Sequence, residues 1–250
     1  MRRAWVITAF AAATLVVLAV GLTLAAAVRS THDKASAPAL PMAALVDDVP
    51  EGGGSNLVDF ADRTWVAETS AATGVPERAL QAYAGAVIAL GNLLPECNLG
   101  WNTLAAVGYV ESRHGTFNGS TMDADGLVSP TILGPLLDGT VYGEIRDTDA
   151  GTLDGNATWD RAVGPLQFIP STWSGSGHDG DANSVITPND IDDAAFTAAL
   201  YLCDTADGSM EDPVNWRQAI ASYNPSASYA IAVAKAANRY AADVAVSPEG

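Results

Sequence analysis

The stretch Leu104-Ala-Ala-Val-Gly-Tyr-Val-Glu-Ser-Arg-His-Gly115 puts an acid where acids are rarely found. Its spacing predicts a helix ending at Gly115, with Leu104, Val107 and Gly108 on one core-facing stripe at i, i+3 and i+4. The next position on that stripe is Glu111. Burial disfavours the charged form of a carboxyl and raises its pKa. A carboxylic acid still protonated near neutral pH is the general acid that glycosidic-bond cleavage requires. The same residues also fit a carboxylate at a fraying helix end, paired with Arg113 or His114.

Three further groups of residues can do chemistry. Gln167 lies between apolar neighbours in Val163-Gly-Pro-Leu-Gln-Phe-Ile-Pro170, so its amide must find partners, either a sugar acetamido group or the local backbone. The run Asp179-Gly-Asp-Ala-Asn-Ser-Val-Ile-Thr-Pro-Asn-Asp190 partly follows a calcium loop. Asp179, Asp181 and Asn183 supply side-chain oxygens, Val185 a backbone carbonyl and Asp190 the closing carboxylate. Two departures are Ser184 where glycine makes the sharp turn and Asp190 where a longer glutamate is usual. Asn189 and Asp190 equally suit the N-cap of a following helix. Cys97 and Cys203 are the two cysteines. In an oxidising compartment they form a disulfide, otherwise two buried thiols. Closing a loop of about a hundred residues contributes roughly 4–5 kcal/mol in chain-entropy terms.

The compartment follows from the first residues. Arg2 and Arg3 precede an uncharged run from Ala4 to Val28. It is long enough to span a membrane, and Ala25-Ala26-Ala27 also offers a small-residue cleavage site. Residues 1–28 are therefore expected to be an uncleaved anchor or a signal peptide, and the rest of the chain to be exported. Residues 29–54, rich in proline and glycine, read as a flexible tether. The net charge of −17 argues against nucleic acid and against an anionic membrane surface as partners.

A single domain is expected over 55–246. Helical periods run from Leu57 to Gly74, from Pro76 to about Leu94, from Asn98 to Gly115, from Ile191 to Cys203, from Pro213 to Tyr223 and from Ser226 onward. Asn98 or Asn102 would cap the helix of Glu111. Tyr223-Asn224-Pro225 ends its helix because the residue before proline avoids the helical region. Residues 116–162 lack a sustained period, and a loop that long inside a compact domain is usually functional. It is read as lining a cleft with Trp159 as a wall, or else as a solvated surface loop. No convincing strand alternation appears, so the fold class is all-α or nearly so.

Three separated motifs, Glu111-Ser112, Gly164-Pro-Leu-Gln167 and Ala221-Ser-Tyr-Asn224, occur in an order that resembles the lytic transglycosylases. The match is closest to the lytic murein transglycosylase B type in its actinobacterial form, through Trp159–Trp173, Val110-Glu-Ser112, the Asp-rich loop near 179–193 and Ala199–Cys203. It covers roughly residues 57–240. The resemblance implies a lysozyme-like, mainly helical domain that cleaves the β-1,4 bond of peptidoglycan and leaves 1,6-anhydromuramic acid ends. It implies Glu111 as sole acid/base, Ser112 orienting the sugar and its C6 hydroxyl, Gln167 at the N-acetyl groups, and Tyr223 and Asn224 beside the acid. It implies no required cofactor, a structural calcium in the 179–190 loop, glycan strands as partner, and a monomer in the cell envelope. A hydrolytic muramidase, with Asp123, Asp125 or Asp160 as second carboxylate, and a non-catalytic wall-binding module are the alternatives.

Overall fold

The computed structural model describes Val46, residues 49–53 and residues 56–246. Residues 1–28, and with them the expected anchor or signal peptide, lie outside the described residues. Among the described residues no helix is long and apolar enough to cross a membrane. The domain is mainly helical: α1 (Leu57–Phe60), α2 (Arg63–Thr73), α3 (Glu77–Leu93), α4 (Trp101–Ser112), α5 (Pro170–Ser176), α6 (Ile191–Thr205), α7 (Pro213–Tyr223) and α8 (Ala227–Val246). A small antiparallel hairpin, β1 (Thr121–Met122) and β2 (Val128–Ser129), pairs Thr121 with Ser129 and Met122 with Val128.

The core forms around α4, which is apolar or small almost all round. Every residue from Trp101 to Gly108 is buried, as expected of a helix enclosed on all sides. It lies along α8, while α3 packs on α6. Small residues let these helices approach. A Cβ on Gly108 would collide with the Tyr83 hydroxyl, so α4 needs glycine there to admit that ring. The disulfide Cys97–Cys203, with Cα atoms 5.7 Å apart, ties the end of α6 to the entry of α4.

Four expectations are corrected. The first helical run is broken at Ala61, where the chain becomes extended and Asp62 caps α2 by accepting from Trp65 N at 2.9 Å. Neither Asn98 nor Asn102 caps α4; Gly100 does, and Asn102 is buried, accepting from Val46 N and donating to the Ala237 carbonyl, both at 3.0 Å. The end of the supposed tether belongs to the domain. Val49 is buried, the Pro50 carbonyl accepts from Asp62 N at 2.8 Å, and the Val46 carbonyl accepts from Trp101 N at 3.2 Å. The excursion 116–162 is not a free loop either. Isolated bridges Leu133–Val163, Asp138–Glu144 and Arg146–Trp159 fold it back on itself and onto the domain.

Candidate active site

The end of α4 sets the geometry. The helix stops at Ser112, and Arg113, His114 and Gly115 follow with φ of 56°, 60° and 82°. The expected helix to Gly115 is therefore one turn shorter, because three consecutive left-handed residues replace its last turn. Left-handed backbone is costly for residues bearing a Cβ. Here it is held by His114 N donating to the Gly108 carbonyl at 3.0 Å and by Gly115 N donating to Ser112 Oγ at 2.7 Å. The reversal turns Arg113 onto the Tyr109 ring, 4.1 Å from its centroid, and turns His114 inward between the hydroxyls of Tyr83 and Tyr240, at 3.2 and 3.0 Å. Neither basic residue pairs with Glu111, which removes the salt-bridged helix-end alternative.

Glu111 is 6% exposed. Its Oε1 accepts from Tyr229 Oη at 2.6 Å, while Oε2 is buried with no hydrogen-bond partner. Burial pushes the carboxyl up to about 8, against the opposing effect of the Tyr229 hydrogen bond. No second carboxylate contributes to this shift. Asp160 is fully buried, with its oxygens taken by Thr148 N at 2.9 Å and Thr148 Oγ1 at 2.7 Å. Asp123 accepts from Leu127 N within the hairpin, and Asp125 is exposed on the same turn.

The three motifs meet at the turn 163–168. Ser112 Oγ donates to the Pro165 carbonyl at 2.6 Å, and Tyr223 Oη donates to the Leu166 carbonyl at 2.8 Å. The ends of α4 and α7 thus grip adjacent carbonyls of one turn. Gly164, with φ of 81°, makes that turn possible, since a Cβ would fall on the Pro188 carbonyl. Ser112 is buried, and its hydroxyl is already used as both donor and acceptor. Gln167 Nε2 donates to the carbonyls of Gly164 at 2.8 Å and Ile132 at 3.2 Å. Its amide therefore holds backbone, one of the two roles expected of it, and leaves Oε1 without a hydrogen bond among the described residues. Asn224 is buried, its Oδ1 accepting from Ser226 N at 3.0 Å while Nδ2 has no partner. The Tyr223 and Tyr229 rings lie parallel, 6.5 Å apart at 5°. Trp159 is half-buried and covered by the Arg146 guanidinium at 3.8 Å.

Tyr229 is the residue that sequence reasoning missed. It sits on the core stripe of α8, 118 residues from Glu111, and nothing local distinguishes it from the other buried residues of that helix.

The acidic loop differs in detail from the calcium template. Asp179 accepts from Asn183 N at 3.1 Å and Ser184 N at 2.9 Å, Asp181 from Asn183 N at 3.1 Å, and Asn183 Oδ1 from Val185 N at 2.6 Å. Oxygens of Asp179, Asp181 and Asp193 converge within 4.8 Å of one another. Asp190 instead caps α6, its Oδ1 accepting from Asp192 N at 2.8 Å. Asp193 thus completes a set with Asp179 and Asp181, while Asp190 converges with Asp181 and Asp192 in a second set. The acidic pair following Asp190 reads in sequence as ordinary first-turn helix charge, which hid it. Burial, with Asp190 and Asp181 adding to it, pushes Asp193 up to about 7. Crowded hard oxygen donors of one sign fit a calcium ion. Asp192 is held by Arg78, whose Nη1 donates to Oδ1 at 3.0 Å and whose Nη2 donates to Oδ2. A third group, Asp147, Asp149 and Asp160, also converges but is engaged by its own loop, through Gly151 N and Leu153 N among others.

Compared with protein-family models, with curated proteins and with solved structures, the chain has no match.

Proposed function

We propose that the domain is a lysozyme-like lytic transglycosylase that cleaves the β-1,4 bond between N-acetylmuramic acid and N-acetylglucosamine in peptidoglycan. The observation that carries the reading is Glu111 itself, a lone buried carboxyl bonded by one tyrosine and unaffected by any second acid. Most glycosidases need two carboxylates flanking the bond, whereas substrate-assisted ones need fewer. In this reading Glu111 gives its proton to the leaving glycosidic oxygen. The N-acetyl carbonyl of the muramic acid bonds to the anomeric carbon as an oxazolinium. The Glu111 carboxylate then takes the C6 hydroxyl proton while the C6 oxygen closes on the anomeric carbon and the N-acetyl oxygen leaves. Glu111 ends protonated, and no water is consumed. Tyr229 keeps the carboxyl oriented throughout. Asn224 Nδ2 and Gln167 Oε1, the donor and acceptor left over at the site, are the groups assigned to the N-acetyl substituents.

The disulfide supports an extracytoplasmic location. With 1–28 as anchor or signal peptide, the protein works as a monomer in the cell envelope on glycan strands. Asp179, Asp181 and Asp193 would hold a structural calcium, which would neutralise their mutual repulsion. The test is mass spectrometry of purified peptidoglycan digested by the full chain. The reading expects muropeptides lighter by one water than hydrolytic products, and none from E111Q. Reducing ends would make the protein a muramidase instead. Wall binding without cleavage would make it a binding module.

A further inference from the structure

Beside the end of α4 lies a buried hydrogen-bonded chain that the reaction proposed at Glu111 does not use. His114 Nδ1 meets Tyr83 Oη of α3 at 3.2 Å, and Nε2 meets Tyr240 Oη of α8 at 3.0 Å. All three side chains are buried. Burial, with the charges of Arg239 and Arg113 adding to it, pushes the imidazole down to about 3. The ring is therefore neutral near neutral pH, one nitrogen donating and the other accepting. A buried polar chain with every member paired fixes geometry more tightly than apolar packing does. This one is tied to Glu111 from two sides. His114 follows Glu111 by three residues, and its N–H closes on the Gly108 carbonyl at 3.0 Å. The Tyr83 hydroxyl lies where a Gly108 side chain would stand, one turn before Glu111 on the same stripe. On α8, Tyr240 follows Tyr229 by eleven residues, close to three full turns, so the two tyrosines face the same way. Helix α8 thus holds the end of α4 at two points, Tyr229 on the acid and Tyr240 on the turn behind it.

We propose that the Tyr83–His114–Tyr240 chain positions Glu111, holding the reversed end of α4 shut so that water stays off the carboxyl and its oxygen stays on Tyr229. This role rests on the reading of Glu111 as proton donor. His114 is a positioning residue in it, acting through the backbone of the turn. With the imidazole gone, the left-handed residues lose the contacts that offset their cost, and the last turn of α4 opens locally. A carboxyl that water reaches returns toward its ordinary range. Tyr229 cannot prevent this, because its hydrogen bond favours the charged form. The titratable groups that feel the Glu111 charge are Tyr229 from α8 and Tyr223 from α7. Burial and that charge hold both well above the ordinary phenol range, so neither changes charge while Glu111 titrates. A downward shift in the Glu111 midpoint therefore reports hydration of the carboxyl.

The experiment compares the full chain with H114L, H114N, H114Q and Y240F. Carbon-13 NMR follows the Glu111 carboxyl, and kcat and KM are measured on soluble glycan fragments of peptidoglycan. In H114L and Y240F the Glu111 midpoint is expected to fall by about one pH unit or more. The alkaline limb of the rate profile should move down with it, and kcat should drop on the order of tenfold with KM little changed. An asparagine amide can take the place of Nδ1 and a glutamine amide that of Nε2, so H114N and H114Q should each recover part of the loss. Unfolding midpoints show which variants fold. If H114L does not, Y240F carries the test, since it keeps the ring and removes one bond. A Glu111 midpoint unchanged in folded H114L or Y240F, with only stability lowered, would overturn the positioning role and leave the reading of Glu111 standing. An ordinary carboxyl midpoint in the wild type would overturn both.

Discussion

Glu111 and the loop of Asp179–Asp193 use the same functional group in opposite ways. At the end of α4 one carboxyl is buried with a single tyrosine donor, and burial raises it to about 8. In the loop five carboxylates share a small volume, steadied by backbone N–H groups, by the cap of α6 and by Arg78. Solitude in a dry place favours keeping a proton for delivery; crowding favours taking up a cation. The difference lies not in the residue but in how many like charges its neighbours bring.

The sharpest way to break this contrast is to remove the proton donor. E111Q is expected to lower the rate of muropeptide release by about 10²–10⁴-fold, read by chromatography of the digest. It is also expected to stabilise the fold. Because the folded pKa of Glu111 lies above the unfolded one, its contribution is fully present below pH ~4.5 and is lost as pH rises toward about 8, where the loss levels off. Unfolding midpoints of wild type and E111Q should therefore diverge between those limits, with E111Q the higher near neutral pH.

On the loop side, R78A strands Asp192 as an unpaired buried charge and should cost about 3–5 kcal/mol in denaturant titration. Between the two effects in character stands Y229F. Removing the one donor to Glu111 takes away the interaction that lowers its pKa, so the alkaline limb of the pH–rate profile should move upward and the maximum rate fall by about tenfold. The smallest effect separates two carboxylates three residues apart. D193N should abolish the rise in unfolding midpoint on adding calcium. D190N should lose a helix cap, about 1 kcal/mol, and keep a larger share of that rise than D193N, since Asp190 converges with Asp181 and Asp192 but not with Asp179.

Periodicity made much of the fold legible. The stripes of α3, α6, α7 and α8 follow the 3.6-residue repeat, and the position of Glu111 on its own stripe foretold its burial. The pairing of Cys97 with Cys203 followed from the expectation of export and from there being two cysteines. What escaped notice depends on contacts without a local pattern. Tyr229 looks like any core tyrosine until α8 is laid along α4. Asp193 was masked by the general preference for acids in a first helical turn. Val46 joins the domain through its N–H, bonded to the Asn102 side chain, and its carbonyl, bonded to Trp101 N, contacts that leave no trace in composition. The left-handed turn at Arg113 and His114 could not be foreseen because neither residue favours it; the buried partners of His114 stabilise it.

The most direct test of the central claim is the ionisation of Glu111 in the intact protein, followed by carbon-13 NMR of glutamate carboxyls, with E111Q used to assign the signal. An apparent pKa near 8, falling toward the ordinary carboxyl range on unfolding, is the predicted result. A midpoint near 4.5 in the folded protein would mean that Glu111 is ionised at neutral pH and holds no proton to deliver.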